Sequence, residues 1–132
     1  MKVFLDTNVL VSAVATRGLC TDVLREVLRH HHLIISPELL TELENVFRKA
    51  LVLPQNIIFE FIEVIKQDSQ VSTPSPLLKV SIRDKDDLLI LSSALNGGAD
   101  LFITGDKELL GLQSIRNMSI VSPRVFWERL KA

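Results

Sequence analysis

The chain has 132 residues, of which 47% are hydrophobic, and its 15 basic and 16 acidic residues give a net charge of −1. This length and hydrophobic content are those of one domain with its own core, so we expect residues 1–132 to form a single domain. The balanced charge gives no general sign of nucleic-acid binding, although acids can be concentrated in a site and bases on its rim.

Two features of the sequence indicate a cytoplasmic protein that does not interact with membranes. No segment approaches the roughly 20 apolar residues of a membrane span, and Asp6 interrupts the first apolar run too early for a signal peptide. The only cysteine, Cys20, has no partner for an internal disulfide, which suits a reducing compartment.

The first half of the chain alternates apolar runs, which predict buried strands, with amphipathic segments, which predict helices. In chain order we expect a strand at 3–5, a helix at 9–15, a helix from an N-cap at 21–22, a strand at 33–35, a helix that begins at 36–38 and a helix that begins at Pro54. The last two helices should form a hairpin. The three histidines 30–32 close the second helix and point in different directions, so they cannot all bind one metal ion.

The second half continues the alternation after a loop rich in proline and serine. The expected elements are a strand at 80–82, a helix at 88–95 that is capped by 84–87 and ends at 97–98, a strand at 101–104, a short helix at 106–112, a strand at 120–121 and a helix from Pro123. Strands that alternate with helices predict an α/β fold, a three-layer sandwich with a central, mainly parallel sheet.

Four acidic residues occur at informative positions in this pattern. Asp6 and Asp106 each follow a predicted buried strand, Asp87 opens a helix, and Glu42 lies on the helix after the second strand. Ligands of parallel-sheet domains bind outside the carboxyl ends of the strands, so we expect these acids to converge there. Close carboxylates repel each other by up to ~4 kcal/mol per pair, and a bound divalent cation is the usual reason for such an arrangement.

Each of these residues also has an ordinary structural interpretation when it is considered alone. Asp6 and Asp87 could cap the helices that follow them, and Glu42 could be a helix-surface glutamate. Asp84 and Asp86 could likewise be caps or solvated charges. Thr104, one residue before Gly105, could hold a water molecule or a phosphate oxygen.

The sequence resembles the PIN domain family, in particular the VapC-like ribonucleases of toxin–antitoxin systems. The similar stretches are FLDTNVLVSA from Phe4, SPELLTELENVF from Ser36, DKDDLLILSSALNGGADLFITGDKELL from Asp84 and IVSPRVFWERL from Ile120. They extend along essentially the whole chain, and the first and third are fairly specific in combination.

The resemblance assigns the family's acidic positions to Asp6, Glu42, Asp87 and Asp106, and its accompanying polar positions to Asn8 and Thr104. It implies that Asp6, Asp87 and Asp106 bind Mg²⁺ or Mn²⁺ and that Glu42 orients the attacking water. Relatives commonly have a proline in the run that corresponds to 83–87, and this chain has none. Helical spacing favours Asp87 as the ligand, with Asp86 as the alternative.

The function implied by the resemblance is metal-dependent hydrolysis of RNA by the toxin of a type II toxin–antitoxin system. The expected partners are an RNA substrate, a cognate antitoxin and a second copy of the chain in a homodimer. The alternative is a PIN-like module that binds RNA or protein without catalysis. Two other acid-rich classes fit less well: a haloacid-dehalogenase-type phosphatase needs an aspartate where Asn8 stands, and a phosphorelay receiver needs an acidic pair and a late lysine in a different order.

Overall fold

The computed structural model describes residues 1–131, within which the chain forms six strands and seven helices. In chain order they are β1 (Lys2–Leu5), α1 (Thr7–Ala15), α2 (Leu19–His30), β2 (His32–Ile35), α3 (Pro37–Lys49), α4 (Gln55–Lys66), β3 (Gln70–Val71), α5 (Lys85–Asn96), β4 (Leu101–Ile103), α6 (Lys107–Leu110), β5 (Ser114–Ile115), β6 (Met118–Val121) and α7 (Pro123–Lys131). No helix in this described range is long and apolar enough to cross a membrane.

The six strands form one sheet in the order β3-β2-β1-β4-β6-β5. All neighbouring strands are parallel except β5 and β6, which form an antiparallel pair at one edge. Helices flank this sheet, and the predicted α/β architecture with a mainly parallel sheet is confirmed. Parallel strands place their carboxyl ends at one edge of the sheet, where ligands bind in such folds.

The core is centred on β1 and β4, which are neighbours in the sheet. Phe4 and Phe102 lie opposite each other in the register of these strands, and their rings stack with centroids 5.4 Å apart. Both side chains are completely buried, as are Val3, Leu5 and Ile103. Central parallel strands are covered on both faces, which explains why their sequences are continuous apolar runs.

The predicted strand at 80–82 is wrong. Residues 80–82 form no strand, and the edge strand β3 is formed earlier, by Gln70 and Val71. The segment after β3 is instead held against α5, where the Leu78 amide donates to Ser92 Oγ at 3.0 Å. Val80 and Ile82 pack against the core from this irregular segment, so their apolar character reflects burial and not strand pairing.

The helix predicted to start from an N-cap at 21–22 begins earlier, at Leu19, with Gly18 as its N-cap. Thr21 has a different role: its hydroxyl donates to the carbonyls of Ala13 and Thr16 at 2.9 Å each, which fastens the corner between α1 and α2. Asp22 lies in the first turn of α2 and forms an exposed ion pair with Arg25.

Other helix boundaries agree closely with the sequence patterns. Ser36 caps α3, and its hydroxyl accepts from the Leu39 amide at 3.1 Å. Asp84 caps α5, and Gly98 after its end has φ +77°, a conformation that glycine adopts without a steric penalty. The α3–α4 pair packs together as expected, with Phe47 and Phe61 in edge-to-face contact at 5.5 Å. The three consecutive histidines do not share one secondary-structure element, since α2 ends at His30 and β2 begins at His32.

Gly97, the C-cap of α5, provides a test of how tightly this helix is seated on the sheet. A Cβ atom at this position would lie 2.9 Å from Ile34 Cγ2 and 3.0 Å from Ser72 Cβ. We expect Gly97→Ala to lower the free energy of unfolding by about 1–3 kcal/mol in urea denaturation, because the neighbours must shift. Gly18→Ala is the control, since its Cβ would meet nothing within 4 Å. Equal stabilities of the two variants would contradict the close approach of α5.

Candidate active site

Asp6 follows β1 and is held beside the end of β4. Its backbone amide donates to the Ile103 carbonyl at 2.9 Å, which extends the parallel pairing of β1 and β4 by one residue. The Asp6 residue is only 4% exposed. The strand register therefore brings the two polar segments that follow β1 and β4 into contact.

The Asp6 carboxylate is fixed by three hydrogen bonds. Its Oδ2 accepts from the Thr104 hydroxyl at 2.7 Å and from Asn8 Nδ2 at 3.1 Å, while its Oδ1 accepts from the Thr7 amide at 2.8 Å. Asp6 caps α1, as one of its two interpretations predicted, while its role as a cation ligand stays a prediction. A substitution at Asp6 removes a negative charge and disturbs these bonds at the same time.

Asn8 and Thr104 link the ends of the two strands. Besides its bond to Asp6, Asn8 accepts from the Gly105 amide at 2.9 Å, and Thr104 Oγ1 accepts from the Asp106 amide at 3.0 Å. Asp106 also caps α6 through Oδ1, which accepts from the Glu108 amide at 2.8 Å. The Thr104 hydroxyl donates a hydrogen bond to Asp6 and so helps to fix the orientation of that carboxylate.

Helices α3 and α5 bring two more carboxylates to the same place. Asp6, Glu42, Asp87 and Asp106 all line one cavity of about 520 Å³, which we call the four-acid cavity. The structure therefore brings together four acids from four separate parts of the sequence. Asp86, the alternative to Asp87, is exposed and lines a neighbouring cavity.

Comparisons with known proteins identify the family of this chain. The sequence profile of the PIN domain matches residues 2–108. The chain belongs to the PIN domain family. No curated protein sequence matches it.

One solved structure similar to this PIN domain is the crystal structure of VapBC2 from Rickettsia felis bound to a DNA fragment from their promoter. A chain of that structure aligns with a TM-score of 0.66 and 19% sequence identity, covering 92% of this chain and 98% of that one. At this identity the similarity concerns the fold, and it confirms the PIN-like arrangement of the sheet and helices.

The electrostatics of this PIN domain show mutual repulsion among the acids. Burial raises the pKa of Asp87 to about 7, and the charges of Asp84, Asp6, Asp106 and Glu42 contribute to the increase. Burial is also the main cause of the raised pKa of Asp6, which the nearby Asp106 raises further. The folded protein therefore holds its carboxylates in a place that disfavours their ionised forms.

Glu42 is the fourth member of the cavity and is half-buried on α3. Burial raises its pKa, and the charges of Asp6, Asp86 and Asp84 raise it further. A raised pKa brings a carboxylate closer to neutral pH, where it exchanges protons more readily. Glu42 therefore differs chemically from an ordinary surface glutamate.

The residues of the cavity fit a hard divalent cation. Carboxylate oxygens suit Mg²⁺ and Mn²⁺, and Mg²⁺ is usually held by one or two carboxylates together with several waters. Within residues 1–131, no three acidic, histidine or cysteine side chains are close enough to hold one ion between them. Thr7 also lines the cavity, and its buried hydroxyl lies close enough to Glu42 to oppose the rise in the pKa of that carboxyl.

Sequence patterns do not predict Thr7 as a residue of the site, because it lies between Asp6 and Asn8, which resemble the family's site residues more clearly. The motif Asp6-Thr7-Asn8 is acidic and polar, but nothing in it indicates that the Thr7 hydroxyl lies near Glu42. The cavity also extends along α1 past Val11 and Ser12 to Thr16, a groove that residue patterns did not reveal. Both features depend on how α1 and α3 pack against each other.

The raised pKa of Asp87, caused by burial and by the neighbouring acids, predicts a pH-dependent effect of Asp87→Asn on stability without metal. The pKa of Asp87 is about 7 in the folded protein and 3.8 in an unfolded chain, so the wild type loses stability as the pH rises between these values. In EDTA, we expect the free energy of unfolding of the variant to rise relative to that of the wild type from pH 4 to pH 7. Above pH 7 the difference should stay constant. After allowance for solvent screening, the gain is about 1 kcal/mol, or roughly 3–5 °C in Tm.

Asp86→Asn is the matched control, because it removes an acid from the same helical turn but outside the four-acid cavity. Its Tm should follow the wild type much more closely across the same pH range. An Asp87→Asn curve of Tm against pH that runs parallel to the wild type from pH 4 to pH 8 would contradict the raised pKa of Asp87. Asp6→Asn is a poorer probe, since it also disturbs the three hydrogen bonds to Asp6.

Proposed function

We propose that this PIN domain is a Mg²⁺- or Mn²⁺-dependent endoribonuclease that hydrolyses phosphodiester bonds of single-stranded or structured RNA. The observation that carries the proposal is the convergence of Asp6, Glu42, Asp87 and Asp106 on one cavity at the carboxyl ends of the strands. Membership of the PIN domain family supports the same reaction class. No nucleophilic cysteine or serine needs to be invoked, because a cation held by carboxylates would activate water.

Asp6, Asp87 and Asp106 are the proposed cation ligands, directly or through water. A divalent cation at this position supplies positive charge and Lewis acidity, which offset the charge that develops on the phosphate during hydrolysis. Asn8 and Thr104 keep the Asp6 carboxylate in one orientation through their hydrogen bonds. Asp87 is preferred to Asp86 as a ligand because only Asp87 lines the four-acid cavity.

Glu42 is proposed to orient the attacking water and accept its proton. It lies on α3 and lines the four-acid cavity, and its raised pKa suits a proton acceptor. Positive charge for the RNA backbone is available nearby. Arg83 is 93% exposed at its side chain and pairs with Glu108 at 3.7 Å, while Lys85 and Lys107 begin the helices that follow Asp84 and Asp106.

The proposal extends to a role as the toxin of a type II toxin–antitoxin system. The support is the structural similarity to a chain of the VapBC2 structure, together with the family. A cognate antitoxin would then be a partner that blocks the cavity. The homodimer stays a prediction from the sequence resemblance, and the cytoplasmic location stays a prediction from the sequence features described above.

Cleavage of RNA tests the proposed activity directly. We expect the purified protein to cut a mixed pool of single-stranded RNA with Mg²⁺ or Mn²⁺ and not with EDTA. Asp6→Asn should lower the rate by about a hundredfold or more, because it removes an acid from the cation site. The matched control is Glu44→Gln, on the same helix as Glu42 but outside both cavities near the acids.

The control should cut at the wild-type rate. Cleavage that persists in EDTA, or in Asp6→Asn at the rate of the control, would contradict the metal-dependent mechanism. Absence of cleavage together with tight RNA binding would instead support the non-catalytic module.

A further inference from the structure

The four-acid cavity continues as a groove along α1. Beyond the acids, the groove is lined by five uncharged side chains, four from α1 and its C-cap and one from α3: Val11, Ser12, Ala15, Thr16 and Val46. Helix α1 has nine residues, which make about 14 Å of helix, so the groove leads well away from the acids. A ligand that occupies the acids and is longer than one nucleotide can therefore extend along α1.

A basic surface lies at the far end of this groove, at the corner between α1 and α2. Arg17 follows Thr16 directly, and together with Arg25 it lines a further cavity of about 500 Å³. The groove and this cavity are close neighbours, because the hydroxyl of Thr21, which lines the cavity, donates to the Thr16 carbonyl at 2.9 Å. The groove therefore runs from a negatively charged end at the acids to a positively charged end at Arg17.

Arg17 supplies the uncompensated positive charge of this corner. It is exposed, and it forms no ion pair within residues 1–131. The charge of Arg25 is partly offset by Asp22, which lies 3.6 Å away in an exposed ion pair. A guanidinium presents its N–H donors in a fixed fork that matches the oxygens of a phosphate. Arg17 is therefore suited to bind a phosphate that reaches the end of the groove.

We propose that the groove along α1 holds the RNA strand on one side of the cut and that Arg17 binds one of its phosphates. This inference rests on the proposed nuclease function. A stacked strand advances about 3.4 Å per nucleotide, so the length of α1 places this phosphate at most about four nucleotides from the cut. Attraction at Arg17 offsets the repulsion that the acids exert on the phosphates near them. Because the contact is to the backbone, it does not depend on the base sequence.

Cleavage kinetics at several salt concentrations test the phosphate contact. At low salt, Arg17→Gln should lower kcat/KM about fivefold for an RNA that is long on both sides of a mapped cut site. The loss should appear in KM with kcat unchanged, because a contact away from the reacting atoms is the same in the bound RNA and in the transition state. The plot of log kcat/KM against log salt should be shallower by about 0.7, the contribution of one phosphate contact in a single strand. Arg17→Lys keeps the charge and should retain most of the wild-type slope.

RNAs that are shortened one nucleotide at a time from each end locate the contact along the strand. On one side of the cut, RNAs too short to reach Arg17 should be cut equally well by the wild type and by Arg17→Gln. Shortening on the other side should leave the fivefold difference intact. A change that merely distorted the site would instead lower cleavage of every RNA by the same factor.

Arg29→Gln is the matched control, because Arg29 is also an exposed arginine of α2 but lies at the end of that helix that leads into β2, away from the carboxyl ends of the strands. It should keep the wild-type rate and salt slope for every RNA. Equal slopes for Arg17→Gln and Arg29→Gln, or a loss in Arg17→Gln that is independent of RNA length, would overturn the contact while leaving the nuclease intact. Absence of metal-dependent cleavage by the wild type would instead refute the proposed function itself.

Discussion

The convergence of four carboxylates on one cavity is the constraint on which the rest of this molecule depends. Two carboxylates 4 Å apart repel by ~4 kcal/mol at an effective dielectric near 20, whereas a whole domain is stable by only about 5–15 kcal/mol. Burial raises the pKa of Asp87 to about 7, and repulsion from the neighbouring acids adds to this rise. Elements that are rigid for other reasons must therefore hold the acids in place.

The central strands and their hydrogen bonds supply that rigidity. Stacked Phe4 and Phe102 fix the register of β1 and β4, and Asn8 and Thr104 then join the two strand ends around Asp6. Each of these polar side chains is satisfied by a neighbour, so the site is preorganised before any ligand binds. The acids on α3 and α5 approach from the helical layers, which leaves a groove on each side of Glu42.

Sequence patterns predicted the features of the site that depend on residues close together in the chain. The segments 3–5 and 101–104 are buried on both faces and therefore have continuous apolar sequences, which predict strands. These predicted strands in turn indicated where the acids that follow them should lie. The edge strands β3 and β5 have two residues each, too few for any periodicity. Asp86 and Asp87 are adjacent, and only the docking of α5 decides which one faces the acids. The cavity between α3 and α5 is formed by side chains that look like ordinary helix surface.

A carboxyl NMR titration of the aspartates and glutamates, without metal and with Mg²⁺, tests most directly whether the acids form a cation site. Asp87 should titrate near 7 without metal, and Mg²⁺ should lower its apparent pKa markedly, because a bound cation favours the ionised form. Asp100 precedes β4 and accepts from the Lys2 amide, so it lies at the other end of that strand from the site, and its carboxyl NMR signal should not shift when Mg²⁺ is added. A titration of Asp87 near 4 that Mg²⁺ does not alter would contradict the account.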